Sequence, residues 1–276
     1  MTSDRDRAAS RLTTRGRASG LVLAVSWGIA TVASVAALAA GAAEPGVTPA
    51  AGTAATPAVA SGELQPFVAT YSVEWKGITA GTTTLELTRT GPDRYLYRSR
   101  IAARGLFRLF FPEDISQSSR LTVEDGTIRP LQYRADDGPN DVARAIALDF
   151  DWGTHRVHGT AEKKPVDVEL RPGTQDPMSI QLVMMRTLAA DRLPKTFLMI
   201  EKTEISGYDY THEGSARLHT ALGDLDTVIW SSRRPDSDRV TRMWYAPDLG
   251  FMPVRAERTR GGKAEIEMLI RSVRRP

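Results

Sequence analysis

From Pro66 onward, apolar and polar side chains alternate. Phe67, Ala69, Tyr71, Val73 and Trp75 take turns with Val68, Thr70, Ser72, Glu74 and Lys76, a period of two that puts the aromatic rings on one face of a strand. The pattern returns at Tyr95, Tyr97, Ser99 and Ile101, at Ile115, Gln117, Ser119, Leu121 and Val123, and at Ile146, Leu148 and Phe150. Gly91-Pro92-Asp93, Asp125-Gly126, Asp137-Gly138-Pro139 and Asp151-Trp152-Gly153 punctuate these runs as turns. Further strands are expected at 166–170, 197–204, 216–220, 225–230, 240–245, 254–258 and 264–270. So many sequential hairpins twist too far to lie flat. The expected fold is mainly β: a large antiparallel curled sheet, an open barrel or β-spiral, with one packed α-helix.

That helix is expected from 176 to about 190. Asp176 suits an N-cap and Pro177 the first helical position, where its missing N–H is not needed. Ile180, Val183, Met184, Thr187 and Leu188 then form an apolar stripe. Packed on the concave side of a curled sheet, the stripe serves either as core filler or as the soft wall of a lipid cavity.

Before Pro66 the pattern changes. Arg11, Arg15 and Arg17 precede a run without charge from 20 to 43, which ends in small residues with A-x-A patterns at Ala37-Leu38-Ala39 and Ala40-Gly41-Ala42. Residues 1–43 are therefore expected to be an export signal, cleaved near 42, or an N-terminal membrane anchor, since about 20 apolar residues can span a bilayer. Ala, Pro and Thr dominate 44–62, the composition of a disordered linker, which leaves 63–276 as a single β-rich domain. Both readings of the N-terminus place that domain in the periplasm, held at the inner membrane if the segment is retained. Membrane contact is then expected only through that segment.

Charge narrows the partners. Five of the 36 basic and two of the 33 acidic residues lie in the first 43, so the remainder carries equal numbers of each. The pI near 9.2 thus comes from the N-terminal segment, and nucleic acid is not an expected partner. With no cysteine, disulfides, thiolate zinc sites and cysteine nucleophiles are ruled out.

Candidate chemistry is sparse. His155 and His158 are three apart, a spacing that on one strand sends the rings to opposite faces. Asp149-Phe150-Asp151 puts two carboxylates on one face without the Gly and Glu of a calcium loop. His212 and His219 have no G-x-S-x-G partner, and there is no G-x-G-x-x-G or P-loop. No catalytic residue, metal ligand or cofactor is expected. Two apolar stretches remain. Gly105-Leu106-Phe107-Arg108-Leu109-Phe110-Phe111-Pro112 reads as a doubly buried segment or the lip of an apolar opening, with burial the commoner case. Met243-Trp244-Tyr245-Ala246-Pro247 reads as a strand leading into a turn. Phe107, Phe110, Phe111, Val183, Met184 and Trp244 are accordingly the candidate lining of an apolar ligand cavity. Arginines 233, 234, 239, 242, 255, 258 and 260 are interleaved with Asp224, Asp226, Asp236, Asp238, Glu257, Glu265 and Glu267, as on a solvated β surface.

The chain resembles the bacterial envelope family known as domain of unknown function 3108. The resemblance rests on the opening strand with Tyr71 followed by Gly77 and Gly81, the Asp176-Pro177-Met178-Ser179 helix start, and the Trp244-Tyr245-Ala246-Pro247 to Met252-Pro253-Val254 hairpin. It covers about 64–274 and implies a periplasmic location and a curled β fold. By analogy of shape it is similar to half-barrel carriers of lipids and lipoproteins. The expected function is a non-enzymatic exported protein supporting envelope integrity, with an acyl chain, lipoprotein or envelope partner bound in the concavity of the sheet. An envelope glycan or lipid hydrolase and a scaffold with a filled core stay open as alternatives.

Overall fold

The computed structural model describes residues 63–110, 114–136, 144–193 and 195–276. The expected signal or anchor, the linker and Phe111 lie outside them. Strands β1 (Phe67–Trp75), β2 (Ile78–Gly91), β3 (Arg94–Ala103), β4 (Ile115–Glu124), β5 (Thr127–Asp136), β6 (Ile146–Asp151), β7 (Arg156–Ala161) and β8 (Lys164–Glu169) form one antiparallel meander. A second meander contains β9 (Thr196–Glu201), β10 (Glu204–Thr220), β11 (Gly223–Arg233), β12 (Arg239–Ala246), β13 (Met252–Arg260) and β14 (Lys263–Arg274). The two fuse where β1 pairs with β14, Val68 opposite Arg274 and Trp75 opposite Ile266. One 14-stranded sheet results, with β8 and β9 at its edges.

Three of these strands escape a reading by alternation. β2 is rich in threonine, β5 contains Pro130, and β7 carries His158 and Gly159. Pro130 is tolerated because the register shifts between Arg120 and Leu121, opposite it. Gly159 allows backbones to meet: a Cβ there would lie 2.0 Å from the Ala147 carbonyl oxygen. The expected strand at 197–204 is two strands broken by a turn at Lys202, and 216–220 is the end of the 17-residue β10.

The sheet curls far enough for distant strands to face each other. The Tyr71 hydroxyl on β1 donates to the Pro253 carbonyl on β13 at 2.8 Å. Tyr97 on β3 has its hydroxyl pKa raised by burial and then by Tyr71 and Tyr245, although β3 and β12 are separated by five ladders. The edges do not pair as strands. Gln175, in the segment that follows β8, ties β9 to β5 instead: its N–H donates to Leu198, its carbonyl accepts from Ile200, and its side chain donates to the Ile128 carbonyl on β5. Between neighbouring turns, Lys202 Nζ lies 2.7 Å from Glu162 Oε1.

The segment between β8 and β9 carries helix α2 (Ser179–Ala189), with Ile180, Gln181, Leu182, Met184, Thr187 and Leu188 buried. Burial reaches beyond the expected stripe because the curled sheet surrounds the helix. Pro177 lies before the helix, not inside it. Asp176 Oδ1 accepts from the N–H groups of Met178 and Ser179 at 2.7 and 2.8 Å, while Ser179 Oγ accepts from the Asp176 N–H. This reciprocal turn satisfies donors at and just before the first helical residue. Ser119 on β4 donates to Asp176 Oδ2 at 2.5 Å, and Tyr97 donates to Gln181 at 2.9 Å. Besides α2 there is a four-residue helix, α1 (Phe107–Phe110), between β3 and β4.

Burial raises the Asp176 carboxyl to about 6, against the hydrogen bonds from Ser119 and the backbone that favour its charge. A raised folded-state pKa means that the folded protein holds a proton which the unfolded chain has released. Stability therefore falls as pH rises from about 4 to about 6. Asp176→Asn, which retains an acceptor for the turn, is expected to remove that slope. Urea unfolding of both proteins at pH values across this interval measures it, and parallel slopes would refute the assignment.

Candidate functional site

Alternate turns of an antiparallel meander lie at one end. Here one rim of the curled sheet gathers the β1–β2 turn at Lys76-Gly77, the β3–β4 connection with α1, and the β7–β8, β9–β10, β11–β12 and β13–β14 turns. α2 leans toward the other end, where the Arg186 guanidinium approaches Gly126 in the β4–β5 turn. The rim has an apolar side and a charged side.

The apolar side is built on Trp75. Its ring meets Phe107 edge-on at 5.9 Å, which holds α1 against the end of β1, and Lys76 Nζ stands 4.7 Å from its centroid. Leu106 is 76 % exposed, Leu109 77 % and Ile78 59 %, so three large apolar side chains on adjacent turns face water. The described part of the run, 105–110, is thus a lip, with Leu106 and Leu109 uncovered, and not the doubly buried segment that its composition favours. Gly105, at φ 57°, breaks the strand and turns the chain into α1 before a second face can be covered.

The charged side lies on the concave face of β9 to β14. In β12, Arg239 is in step with Thr241, Met243 and Tyr245, and Tyr245 donates to Met243 Sδ at 3.1 Å. Arg258 sits opposite Thr241, and Arg234 follows β11 in step with Trp230 and Ser232, the partners of Met243 and Thr241. Glu201, at the end of β9, is 4 % exposed and accepts a hydrogen bond from Tyr208. Arg234 Nη1 lies 3.0 Å from Glu204 and 4.0 Å from Glu201, and Arg239 Nε lies 4.0 Å from Glu265. Burial raises Glu201 to about 8 in spite of Arg234, and burial with Arg239 nearby lowers Arg258 to about 10.

Arginines on the convex face differ. Arg242 is bonded to Glu213 and lies 3.1 Å from Glu257, while Arg255 is 3.0 Å from Glu267 and 3.4 Å from Glu257. The expectation of interleaved, compensated charge holds for this face. The register shift between β13 and β14 leaves Glu265 without an opposite partner on β13.

A family model, Protein of unknown function (DUF3108), matches residues 70–268. The chain belongs to this family. The DUF3108 match spans both meanders and so includes the lip and the arginines. No curated protein matches the chain. Among solved structures, the chain is similar to a β-barrel-like protein of the DUF1849 domain family from Brucella abortus, at 11 % identity and a TM-score of 0.52, covering 78 % of this chain and 99 % of that one. A Bacteroides fragilis protein assigned as exported, with a YmcC-like fold, aligns at 10 % identity and a TM-score of 0.37 over 78 % and 98 % of the two chains. The DUF1849 likeness agrees with the unclosed, barrel-like sheet seen here.

The candidate lining residues whose side chains are described, Phe107, Val183, Met184 and Trp244, are not brought together. Phe107 stands at the rim, Phe110 ends α1, and Phe111 is outside the described residues. Met184 is buried and Val183 half-buried in α2. Trp244 points to the opposite face from Met243 and Tyr245, beside its partner Ile229 and 4.5 Å beneath the Arg255 guanidinium. Three consecutive bulky residues give no sign of which one faces inward. The histidines all face solvent: His155 in a turn, His158 on β7, His212 against Trp230, and His219 paired with Asp224 at 2.7 Å. A histidine-dependent hydrolase has no assembled base among the described residues. Asp149 is held by Gln132 and Arg134, and Asp151 accepts from the Gly153 and Thr154 N–H groups, so each carboxylate has a separate structural role.

Glu201, unlike a solvated glutamate, holds its proton near neutral pH in the folded state. Stability linked to it is present below the ordinary glutamate range and is lost as pH rises through about 8. Glu201→Gln is expected to flatten the decline in stability between about pH 5 and pH 9. Urea titrations across that interval provide the comparison. An unchanged decline would mean that Glu201 is ionised at neutral pH.

Proposed function

We propose that this is a non-enzymatic exported protein of the periplasmic envelope, which binds the acyl chain of a lipid or lipoprotein at the rim of its curled sheet. One observation carries the reading: Ile78, Leu106 and Leu109 are left in water beside Trp75 and Phe107, at the end where inward-facing arginines also gather. Exposing three large apolar groups on adjacent turns costs solvation free energy unless something covers them. An amphiphile suits both halves of the rim, with its chain on the lip and its polar end toward the guanidinium groups. The uncharged N-terminal run with its A-x-A patterns supports export. Because α2 occupies the concavity toward the far end, the binding place proposed is the rim, not the interior at large.

The test is native mass spectrometry of the protein purified from bacterial periplasm without detergent, with organic extraction of whatever co-purifies. A bound acyl species is expected. The double substitution Leu106→Ser with Leu109→Ser should weaken its binding about tenfold or more, since each leucine contributes about 1.5–3 kcal/mol when fully covered. An unliganded mass that added lipids leave unchanged would end the proposal in favour of a scaffold with a filled core.

A further inference from the structure

We propose that the lip docks on an anionic bilayer surface, with Ile78, Leu106 and Leu109 entering the lipid and Lys76, Arg104, Arg108 and Lys263 meeting its phosphates. The inference rests on the rim reading above, in that it uses the same lip, and it names the surface which that lip meets. It adds a membrane contact to the one expected of the N-terminal segment.

Exposed apolar bulk collects here. Five large apolar side chains are exposed among the described residues, and three of them, Ile78, Leu106 and Leu109, share this lip. Leu193 and Leu222 stand apart at the other end of the sheet, since Thr196 lies opposite Asp209 and the rest of β10 runs on before the turn at Leu222. Single exposed leucines are ordinary, whereas a group on adjacent turns marks a surface that something covers. The Leu109 N–H donates to the Leu106 carbonyl at 3.1 Å, so the two leucines sit one turn apart on the same side. Phe107 is held the other way, against Trp75.

Positive charge collects in the same place. Lys76 is two residues before Ile78, Arg104 is two before Leu106, and Arg108 adjoins Leu109, so every exposed apolar side chain of the lip has a cation beside it. All three cations are exposed, as is Lys263 in the β13–β14 turn. That turn adjoins β1, because the Glu265 carbonyl accepts the Lys76 N–H at 2.9 Å. Residues 75–81 and 101–110 contain no carboxylate. Among the described residues none forms an ion pair with Lys76, Arg104, Arg108 or Lys263: Asp114 lies 3.7 Å from Arg100, and Glu265 lies 4.0 Å from Arg239. Glu74, beside Trp75 in the chain, is exposed and offsets one of the four cations at most.

Together the two halves select the partner. A second copy docked lip to lip would bring like charges together. On an anionic bilayer the leucines leave water, while the long Lys and Arg stems carry their charges back to the phosphates. Each cation near such a surface strengthens binding about fivefold.

The chain has no cysteine, so Leu109→Cys carries a single bimane label at the lip of the full chain, and Leu222→Cys carries it at the far end. Each is mixed with vesicles of equal parts phosphatidylglycerol and phosphatidylcholine, or of phosphatidylcholine alone, with nitroxide-bearing lipid that quenches bimane inside the bilayer. Quenching at 109 and not at 222 is expected on the anionic vesicles. There, Arg104→Gln with Arg108→Gln should lower the ratio of inserted to water-exposed lip about tenfold or more, with little change on phosphatidylcholine. Because the label is local, a chain held on vesicles by its N-terminal segment still reports what the lip does. A 109 label that stays in water on anionic vesicles would overturn docking, and a bound acyl species in the mass spectrum would then leave the rim reading standing. Insertion that the two arginine substitutions leave unchanged would also overturn it. Burial of the 109 label by the protein alone, without vesicles, would assign the lip to a second copy instead. Insertion that needs the arginines, with no bound acyl species, would uphold docking and end the reading of a single bound chain.

Discussion

A sheet of fourteen antiparallel strands cannot stay flat, and the concave face produced by its curl has to be filled. Here the filler is the segment between β8 and β9, and it brings polar groups into the interior. Asp176, Gln175 and Gln181 are all buried, and each is bonded to a strand of the first meander: β4, β5 and β3 in turn. Left unsatisfied, such groups would cost more than their apolar neighbours gain; satisfied, they fix the position of α2 against one set of strands. Gln175 extends the arrangement to β9, so the edges are held by a segment lying across the gap instead of by a closing ladder.

The same strands carry arginines on both faces under different rules. On the convex face Arg242 and Arg255 meet carboxylates across the ladders, an arrangement that water screens and that contributes modestly. On the concave face water is scarce, and burial moves the protonation of Glu201 and Arg258 away from their ordinary ranges. The rim is where these buried charged groups and the uncovered lip come together.

Much of the fold is legible in the residues. Alternation from Phe67 to Trp75 and from Ile115 to Val123 marks strands whose inward residues are indeed buried, and Asp176-Pro177 announces the helix to within a few positions. What escapes reading depends on contacts between distant parts of the chain. Nothing local to Glu201 signals that it is buried beside Tyr208 and Arg234, since the covering groups come from other strands. The side taken by Trp244 turns on which of three bulky neighbours faces in. The exposure of Leu106 and Leu109 follows from a turn at Gly105 that composition alone does not distinguish from a buried strand.

Pairing of β1 with β14 also gives the molecule a direction. Val68 lies opposite Arg274, so the described chain enters and leaves the sheet on adjacent strands at one end. The lip is at the other end of β1, whose nine residues rise about 30 Å. The surface with the exposed leucines and inward arginines therefore stands about 30 Å from the end at which the described strands begin and finish.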